Sequence, residues 1–379
     1  MFSIPTLSQV EAVIVSKAAE LFGIQAGVRF NLVKILCRVF AAGVFLCVKF
    51  LSYMWKNKFA ESADVLNLVD IGNSLGVPHK VAGYSHGYLD VTVSSSTNVA
   101  EGTVFKDPNG NQYVVVESVQ ISSGTSSVKV RSVEYGSEYD LGKNVEMTTD
   151  EIEAVSSAKT SSYGLTGGVS FDVSVGGNVE KWGESIESYR KRVVYRRQNP
   201  PQGGSLPDYV VWANSFNFVT DVYAFACWPN AGFVTLFVAN FNNNNIVLSS
   251  DELAQVSSYC SDEIRSGVTA NVVVANVTPV SVKLTIKLPV ISEVVKNGVT
   301  EVISEYLKGV KPGEYVSKGI IKQIIKDSGY VTDAYVQDMF VSNVSRESYT
   351  LTRSYNQSTG IAYGQVFNVN SMQITYEAV

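Results

Sequence analysis

Val280-Ser281-Val282-Lys283-Leu284-Thr285-Ile286-Lys287-Leu288 alternates apolar and polar side chains without a break. A strand sends successive side chains to opposite faces, so this run demands a sheet with one dry face and one wet face. Such sheets bury the dry face under helices or a second sheet. Two helical patterns directly downstream supply the cover, Glu293 to Leu307 and Val316 to Lys326. Upstream, Phe218 to Cys227 and Phe233 to Phe241 read as strands joined by the turn Pro229-Asn230-Ala231-Gly232. Ser249 and Glu252 then form a capping box for a helix ending near Gly267. Strands before and after helices on one face give an α+β fold, loosely ferredoxin-like.

Working towards the N-terminus, Glu184 to Gln198 reads as a charged helix, stopped by Asn199-Pro200-Pro201-Gln202-Gly203-Gly204. A short helix after Pro207 carries Tyr209 and Trp212, and Asn242 to Asn245 reads as a turn. From Tyr88 the period is two: Leu89, Val91 and Val93 alternate with polar neighbours, and Tyr113 to Val119 and Val128 to Val133 continue as strands. Asp107-Pro108-Asn109-Gly110 is a tight-turn signal between them, because Asn-Gly accepts positive φ cheaply. Thr148 with Glu151 has the spacing of a capping box and predicts a short helix. Ser161 to Gly177 is rich in Gly and Ser, and a boundary is placed near its end.

The first ninety or so residues have the period of helices. Val10, Val13, Ile14, Ala18, Leu21 and Phe22 define one, Gly23 to Gly27 breaks it, and a long helix, nearly apolar all round, runs from about Arg29 to Lys58. A further pattern through Ala63, Leu66, Leu68 and Ile71 reaches Gly76, and Pro78 predicts another turn or two. The expected organisation is a helical segment over 1–87, a β-rich domain over 88–178, an α+β core over 179–290 and a C-terminal α+β domain over 291–379.

The chain has 379 residues, 45% hydrophobic and 17% charged, enough apolar material for several cores. Its formal charge of −5 argues against a protein whose main task is holding nucleic acid, which needs a basic footprint. Cys37 and Cys47 share the long helix, too far apart along it to bridge, and Cys227 and Cys260 sit in apolar patterns, so all four read as reduced thiols. Met1-Phe2-Ser3-Ile4-Pro5 is no signal peptide, so the sequons at Asn276, Asn343 and Asn356 carry no weight. Between Val28 and Trp55, Arg29, Lys34, Arg38 and Lys49 interrupt the apolar run, and the longest charge-free stretch, Val39 to Val48, covers half of the ~20 residues a bilayer requires. That stretch reads as a helix buried by partners, not as a stable membrane insertion. Phe40, Phe45 and Leu46 are its interface candidates.

The letters for chemistry are few. Gly83-Tyr84-Ser85-His86-Gly87 fits a nucleophile elbow, but the elbow needs a strand before its serine and a helix after it, and no histidine follows His86. His79 and His86 are the whole histidine complement, with no further ligands signalled nearby, so no metal is expected. Asp107, Asn109 and Asn111 lack the remaining oxygens of a calcium loop. There is no phosphate-cradling Gly-rich loop with its lysine and no cofactor motif, and no paired carboxylates point to a hydrolase. One cluster stands out: Arg190-Lys191-Arg192 and Arg196-Arg197, interleaved with Tyr189 and Tyr195. Glu187 precedes Lys191 in the favourable i, i+4 order, which suits a solvated or internally paired face or a protein-docking face better than nucleic acid. Tyr189, Arg190, Arg192 and Arg196 are the interface candidates of this segment.

These residues also carry a resemblance. Gly183-Glu184-Ser185-Ile186-Glu187-Ser188-Tyr189-Arg190-Lys191-Arg192, then Pro200-Pro201-Gln202-Gly203-Gly204, then Asp208-Tyr209 and Trp212-Ala213, resembles the central signature of the baseplate J-like family of contractile-tailed bacteriophages. Ala63-Asp64-Val65-Leu66-Asn67-Leu68, Ile71-Gly72, Gly76-Val77-Pro78 and the Glu101-Gly102-Thr103 entry to the β-domain fit the same family in order. The resemblance spans about residues 60 to 330 and leaves out the long apolar helix and the tyrosine-rich tail after Tyr349. It implies a non-enzymatic baseplate wedge subunit in the virion tail, assembled in the host cytoplasm. It further implies pairing with a second copy and a smaller tail wedge protein through N-terminal helices, and C-terminal contacts between wedges in a ring around the hub. Sheath initiator and hub proteins would be neighbours, and the ring would couple host attachment to sheath contraction. A receptor- or glycan-binding tail module is the alternative reading.

Overall fold

The computed structural model describes residues 5–22, 32–242, 246–262 and 271–378. The Gly23 to Gly27 break, the first residues of the long helix, Asn243 to Asn245 and the segment leading to Gly267 lie outside the described residues. The chain forms two compact units. The first takes the residues up to Pro78 together with Ser174–Asn178 and Arg190–Tyr195, and the second takes the rest.

In the first unit, α1 (Leu7–Phe22) packs on α2 (Leu32–Asn57), and α3 (Val65–Ser74) follows. Asp64 caps α3: its carboxylate accepts from the Asn67 amide at 3.0 Å and from the Tyr53 hydroxyl at 2.9 Å. The Asn67 amide is the main cause holding the Asp64 carboxyl below the usual range, opposed by partial burial. Gly76 at φ 68° ends the helix, and the Val77 amide donates back to Gly72 O at 2.8 Å. The helical turn expected after Pro78 is absent. Residues 78–83 are extended, and Gly83 instead pairs its backbone with Val169.

The second unit begins with an antiparallel barrel. Its strands are β1 (Tyr84–Val93), β2 (Thr97–Val99), β3 (Val104–Lys106), β4 (Gln112–Val115), β5 (Val119–Ile121), β6 (Gly124–Tyr135), β7 (Glu146–Met147) and β8 (Val155–Thr166). The main sheet runs β3-β4-β6-β1-β8-β7. Lys106 and Thr148 exchange backbone hydrogen bonds of 2.7 and 2.9 Å and so bring its two edges together. Leu89, Val91, Phe105, Tyr113, Val128 and Val130 fill the inside. The helix expected from Thr148 and Glu151 does not form. Thr148 spends its backbone on that closure and Glu151 accepts from the Val104 amide at 3.2 Å, so a tertiary pairing overrides the local capping pattern.

Beyond the barrel come β9 (Phe171–Val175), β10 (Asn178–Trp182), α4 (Ile186–Gln198) and α5 (Leu206–Ala213). Then follow β11 (Asp221–Ala226), β12 (Phe233–Ala239), α6 (Ser250–Cys260), β13 (Asn271–Val280) and β14 (Val282–Leu288). The C-terminal segment supplies α7 (Glu293–Gly309), β15 (Tyr315–Ser317), α8 (Lys318–Asp327), β16 (Tyr335–Val341), β17 (Val344–Ser345), β18 (Ser348–Thr350), β19 (Arg353–Asn356), β20 (Ile361–Phe367) and β21 (Gln373–Ala378). One sheet is β11-β12-β13-β20-β19 and another is β17-β16-β14-β21. Sheet membership thus cuts across chain order, because β19 and β20 complete the sheet begun by β11 to β13.

The alternation in β14 does what its pattern predicts. Val282, Leu284, Ile286 and Leu288 are buried and join one core with Val299, Ile303 and Leu307 of α7 and Ile321 and Ile325 of α8, while Lys283 is exposed. The Ser249–Glu252 capping box forms as expected, with Glu252 accepting from the Ser249 amide at 2.8 Å. The chain is a multidomain α+β protein.

Candidate assembly surface

Among the described residues, α2 carries a dense set of exposed large apolar side chains. At about 100° per residue, Lys34, Arg38, Lys49 and Lys56 fall within roughly 60° of one another. Ala41, fully buried, lies on the same side, and Arg38 bonds Glu11 of α1 at 2.6 Å. The cations therefore flank the face that packs on α1, and the remaining arc has no charge. On that arc and its edge Val39, Phe40, Leu46, Phe50, Leu51 and Trp55 are each more than 60% exposed. Phe45, half-buried, sits under the ammonium of Lys49 at 5.0 Å. Covering those six side chains at roughly 1.5–3 kcal/mol each would release on the order of 10 kcal/mol. By length and composition alone, Lys34–Asn57 could also cross a membrane.

The arginine-rich segment, in contrast, is used within the chain. Tyr189 is fully buried, 5.5 Å edge-on to Trp182, which stacks on His79 at 4.2 Å. Arg190 donates to the carbonyls of Ala60 and Ala63 at 2.5 and 2.9 Å, binding the turn that leads into α3. Arg192 reaches the Pro78 carbonyl at 3.5 Å. Arg196 lies 3.5 Å from Asp208. The organising residue here is Asp208. Its Oδ2 accepts from the amides of Gln202, Gly204 and Ser205 at 3.1, 3.2 and 3.1 Å and from the Ser205 hydroxyl at 2.9 Å. Gly203 and Gly204, at φ 72° and 98°, give the loop the curvature that aims those amides at one oxygen. Burial alone would raise the Asp208 carboxyl. The Ser205 hydroxyl and the three amides outweigh it and hold the group below the usual carboxylate range. Sequence reasoning quoted Asp208 without giving it a role; a Gly-Gly pair followed four residues later by Asp, opening a helix, was the available signal.

The remaining lettered candidates disperse. Ser85 lies inside β1, fully buried, so the strand-turn-helix frame of an elbow is not there. Asp107 accepts from the Asn109 and Asn111 amides, both at 2.8 Å, as the anchor of the β3–β4 hairpin. Among the described residues, no three His, Cys, Asp or Glu side chains gather as metal ligands. Cys37, Cys47, Cys227 and Cys260 are free thiols.

Asp140, which the sequence did not single out, has a carboxyl pushed up to about 6, chiefly by burial and also by the nearby Glu252, against the Gly168 amide, Ser85 and His86. Its folded value lies above its unfolded one, so the folded chain keeps a proton that the unfolded chain has lost. Stability from this group is full below about pH 4, is lost as pH rises through about 6, and stays lost above it. Asp140→Asn is expected to stabilise the protein at neutral pH by on the order of 1–2 kcal/mol, discounted for the partly exposed side of the group. Thermal melts at acid and neutral pH check this: an Asn variant less stable than wild type at neutral pH would contradict it.

Against this geometry, the comparisons with known proteins are direct. The model of the Baseplate J-like protein barrel domain matches residues 88–168, and that of the Baseplate J-like central domain matches residues 201–276. Baseplate protein gp47 of Escherichia phage Mu is 27% identical over 215 residues, 56% of this chain and 56% of that protein. The Mu-like prophage FluMu protein gp47 of Haemophilus influenzae is 26% identical over 187 residues, 48% of this chain and 49% of that protein. The chain spans about half the length of the curated relatives it matches. Among solved structures, the cryo-EM baseplate of the anti-feeding prophage contains a chain with 10% identity and a TM-score of 0.36, with 95% of this chain and 90% of that one covered. An antiparallel barrel stands where the barrel model matches and the central-domain match follows it, so residues 88–168 and 201–276 are domains of the baseplate J-like family.

Proposed function

We propose that the chain is a structural wedge subunit of a contractile-tail baseplate, and that α2 is where it joins its partners. One observation carries the reading: a 26-residue helix whose outward arc is apolar, uncharged and exposed among the described residues. An arc so wide exceeds the narrow seam of a two-stranded coil and suits a bundle. A second copy and a smaller tail protein are the partners this reading names. The segment 1–87 would enter that bundle, the domains over 88–178 and 179–290 would form the body, and 291–379 would meet neighbouring wedges in a ring around the hub. Placement in the tail baseplate follows from the relatives' names. The ring would couple attachment to sheath contraction through interfaces that exist in two arrangements. Catalysis has no part in it.

Deleting residues 28–55 is expected to leave the later domains folded, by circular dichroism and melting, while abolishing co-purification with the other tail proteins. Phe40→Glu with Leu46→Glu should do the same without shortening the chain, because two carboxylates would then be buried in an apolar seam. Wedge assembly that survives either change would refute this role for α2. Tight binding of a surface glycan by the isolated chain would favour a receptor-binding module instead.

A further inference from the structure

The sheet β11-β12-β13-β20-β19 curls until side chains of its two edges touch. Arg353 stands on β19 at one edge, and its guanidinium carbon lies 4.2 Å from the ring centre of Phe225 on β11 at the other. Trp228, in the turn after β11, is 5.0 Å away on another side. The two ring centres are 6.5 Å apart and their planes meet at 58°, so the guanidinium sits in an aromatic corner and not between parallel plates. Tyr355 of β19 meets Trp228 edge-on at 6.2 Å, and Phe237 backs the corner at 5.9 Å from both Phe225 and Trp228. Gly364 is the cross-strand partner of Arg353. A Cβ there would come within 2.9 Å of the Phe237 ring, so glycine at that position lets the wall close up.

What this corner lacks is an anion. Arg38, Arg190, Arg192 and Arg196 each donate to an acceptor within the chain. Arg353 is half-buried, yet among the described residues its guanidinium makes no hydrogen bond and no ion pair. The rings stabilise the cation through its plane and leave the N–H donors at its rim unused. A partly desolvated charge in that condition is costly, and an opposite charge recovers the cost. No second cation lies over Phe225 or Trp228 among the described residues, so one positive charge sets the site. One planar fork with one charge matches a carboxylate, which takes two parallel N–H bonds. A phosphate carries more charge and draws on further cations. Ser354 and Asn356 beside the corner are exposed, so it is open to a protein surface, whereas a free small molecule needs enclosure.

We propose that Arg353, framed by Phe225 and Trp228, is a receptor for a single carboxylate side chain, aspartate or glutamate, presented by a partner protein. The fork holds the two oxygens, and the rings cover the methylene groups that carry them. This site is separate from α2 and stands whether or not α2 enters a bundle.

Fluorine NMR on the full chain labelled with fluorotryptophan tests this, because Trp228 lies beside the guanidinium and its signal is assigned by its loss in Trp228→Phe. The probe is a capped pentapeptide with a central glutamate between leucines. The same peptide with glutamine, acetate and inorganic phosphate are titrated beside it at constant ionic strength. The glutamate peptide is expected to shift the Trp228 signal saturably, with a dissociation constant on the order of 1 mM, and to leave those of Trp55, Trp182 and Trp212 in place. The other three should bind about tenfold more weakly or not at all. Arg353→Lys keeps a charge beside the rings but loses the fork, and should weaken the peptide about tenfold; Arg353→Gln should abolish the shift. Lysine retains the packing of the side-chain stem, so that variant carries the test even if glutamine impairs folding. No saturable shift in wild type, an equal shift with the glutamine peptide, or binding that Arg353→Lys leaves within about twofold would overturn the site. Phosphate binding more tightly than the peptide, or acetate binding as tightly, would assign the corner to another ligand and equally overturn the proposal.

Discussion

Replacing Asp208 by alanine is expected to cost about 3–5 kcal/mol, lowering the melting temperature of its unit by roughly 10 °C. One carboxylate oxygen there satisfies three loop amides and a hydroxyl, and Arg196 adds a charge at 3.5 Å. Alanine leaves those donors converging on nothing and leaves a guanidinium facing an empty wall. Asp208→Asn keeps an acceptor but loses the charge, and is expected to cost about half as much. The pH dependence follows from the lowered carboxyl. Its stabilising contribution is present above the ordinary range near pH 4 and is lost as pH falls through the depressed folded value. Wild type and Asp208→Ala should therefore converge in stability on strong acidification, and parallel melts across acid pH measure it. A gap that persists at the acid end would mean that packing, not the carboxylate, holds the loop.

Trp182→Ala is expected to be of similar size, about 3–5 kcal/mol, by creation of a large cavity. The indole is 1% exposed, stacks on His79 with an interplanar angle of 9° and takes Tyr189 edge-on. Its Nε1 donates to Glu180 at 3.0 Å, so the polar tip is satisfied as well. Trp182→Phe retains an aromatic face for the imidazole and should lose about half as much. Denaturant midpoints of the two variants discriminate. Equal losses would show that the hydrogen bond, which both variants lack, matters more than the stack.

Elements with strong local signals were legible in the sequence. The β14 alternation, the Asp107–Gly110 hairpin and the Ser249–Glu252 cap form as read, because each is settled within a few residues. Thr148 and Pro78 misled for the opposite reason. Their local patterns permit a helix, but partners far along the chain take the backbone into sheet pairings. The sharing of strands between sheets had no local signature, since β13 finds β20 across more than eighty residues. At the candidate surface, Phe40 and Leu46 are exposed among the described residues, while Phe45 is half-buried. The arginines read from their spacing as a solvated or internally paired helix face or as a docking face, without a named partner within the chain. Their service to the carbonyls of Ala60, Ala63 and Pro78 depends on long-range folding that composition does not encode.

The strands β13 and β14 are separated by a single residue, Ser281, and each belongs to a different sheet. Beside them β20 and β21 make the same passage in the same direction, with Val280 O accepting from the Asn368 amide at 2.9 Å where they cross. Tension applied between the two sheets therefore runs along two covalent main chains laid side by side, not across a seam that could unzip one rung at a time. This part of the molecule behaves as a doubled tether, and mechanical give must come from elsewhere in the chain.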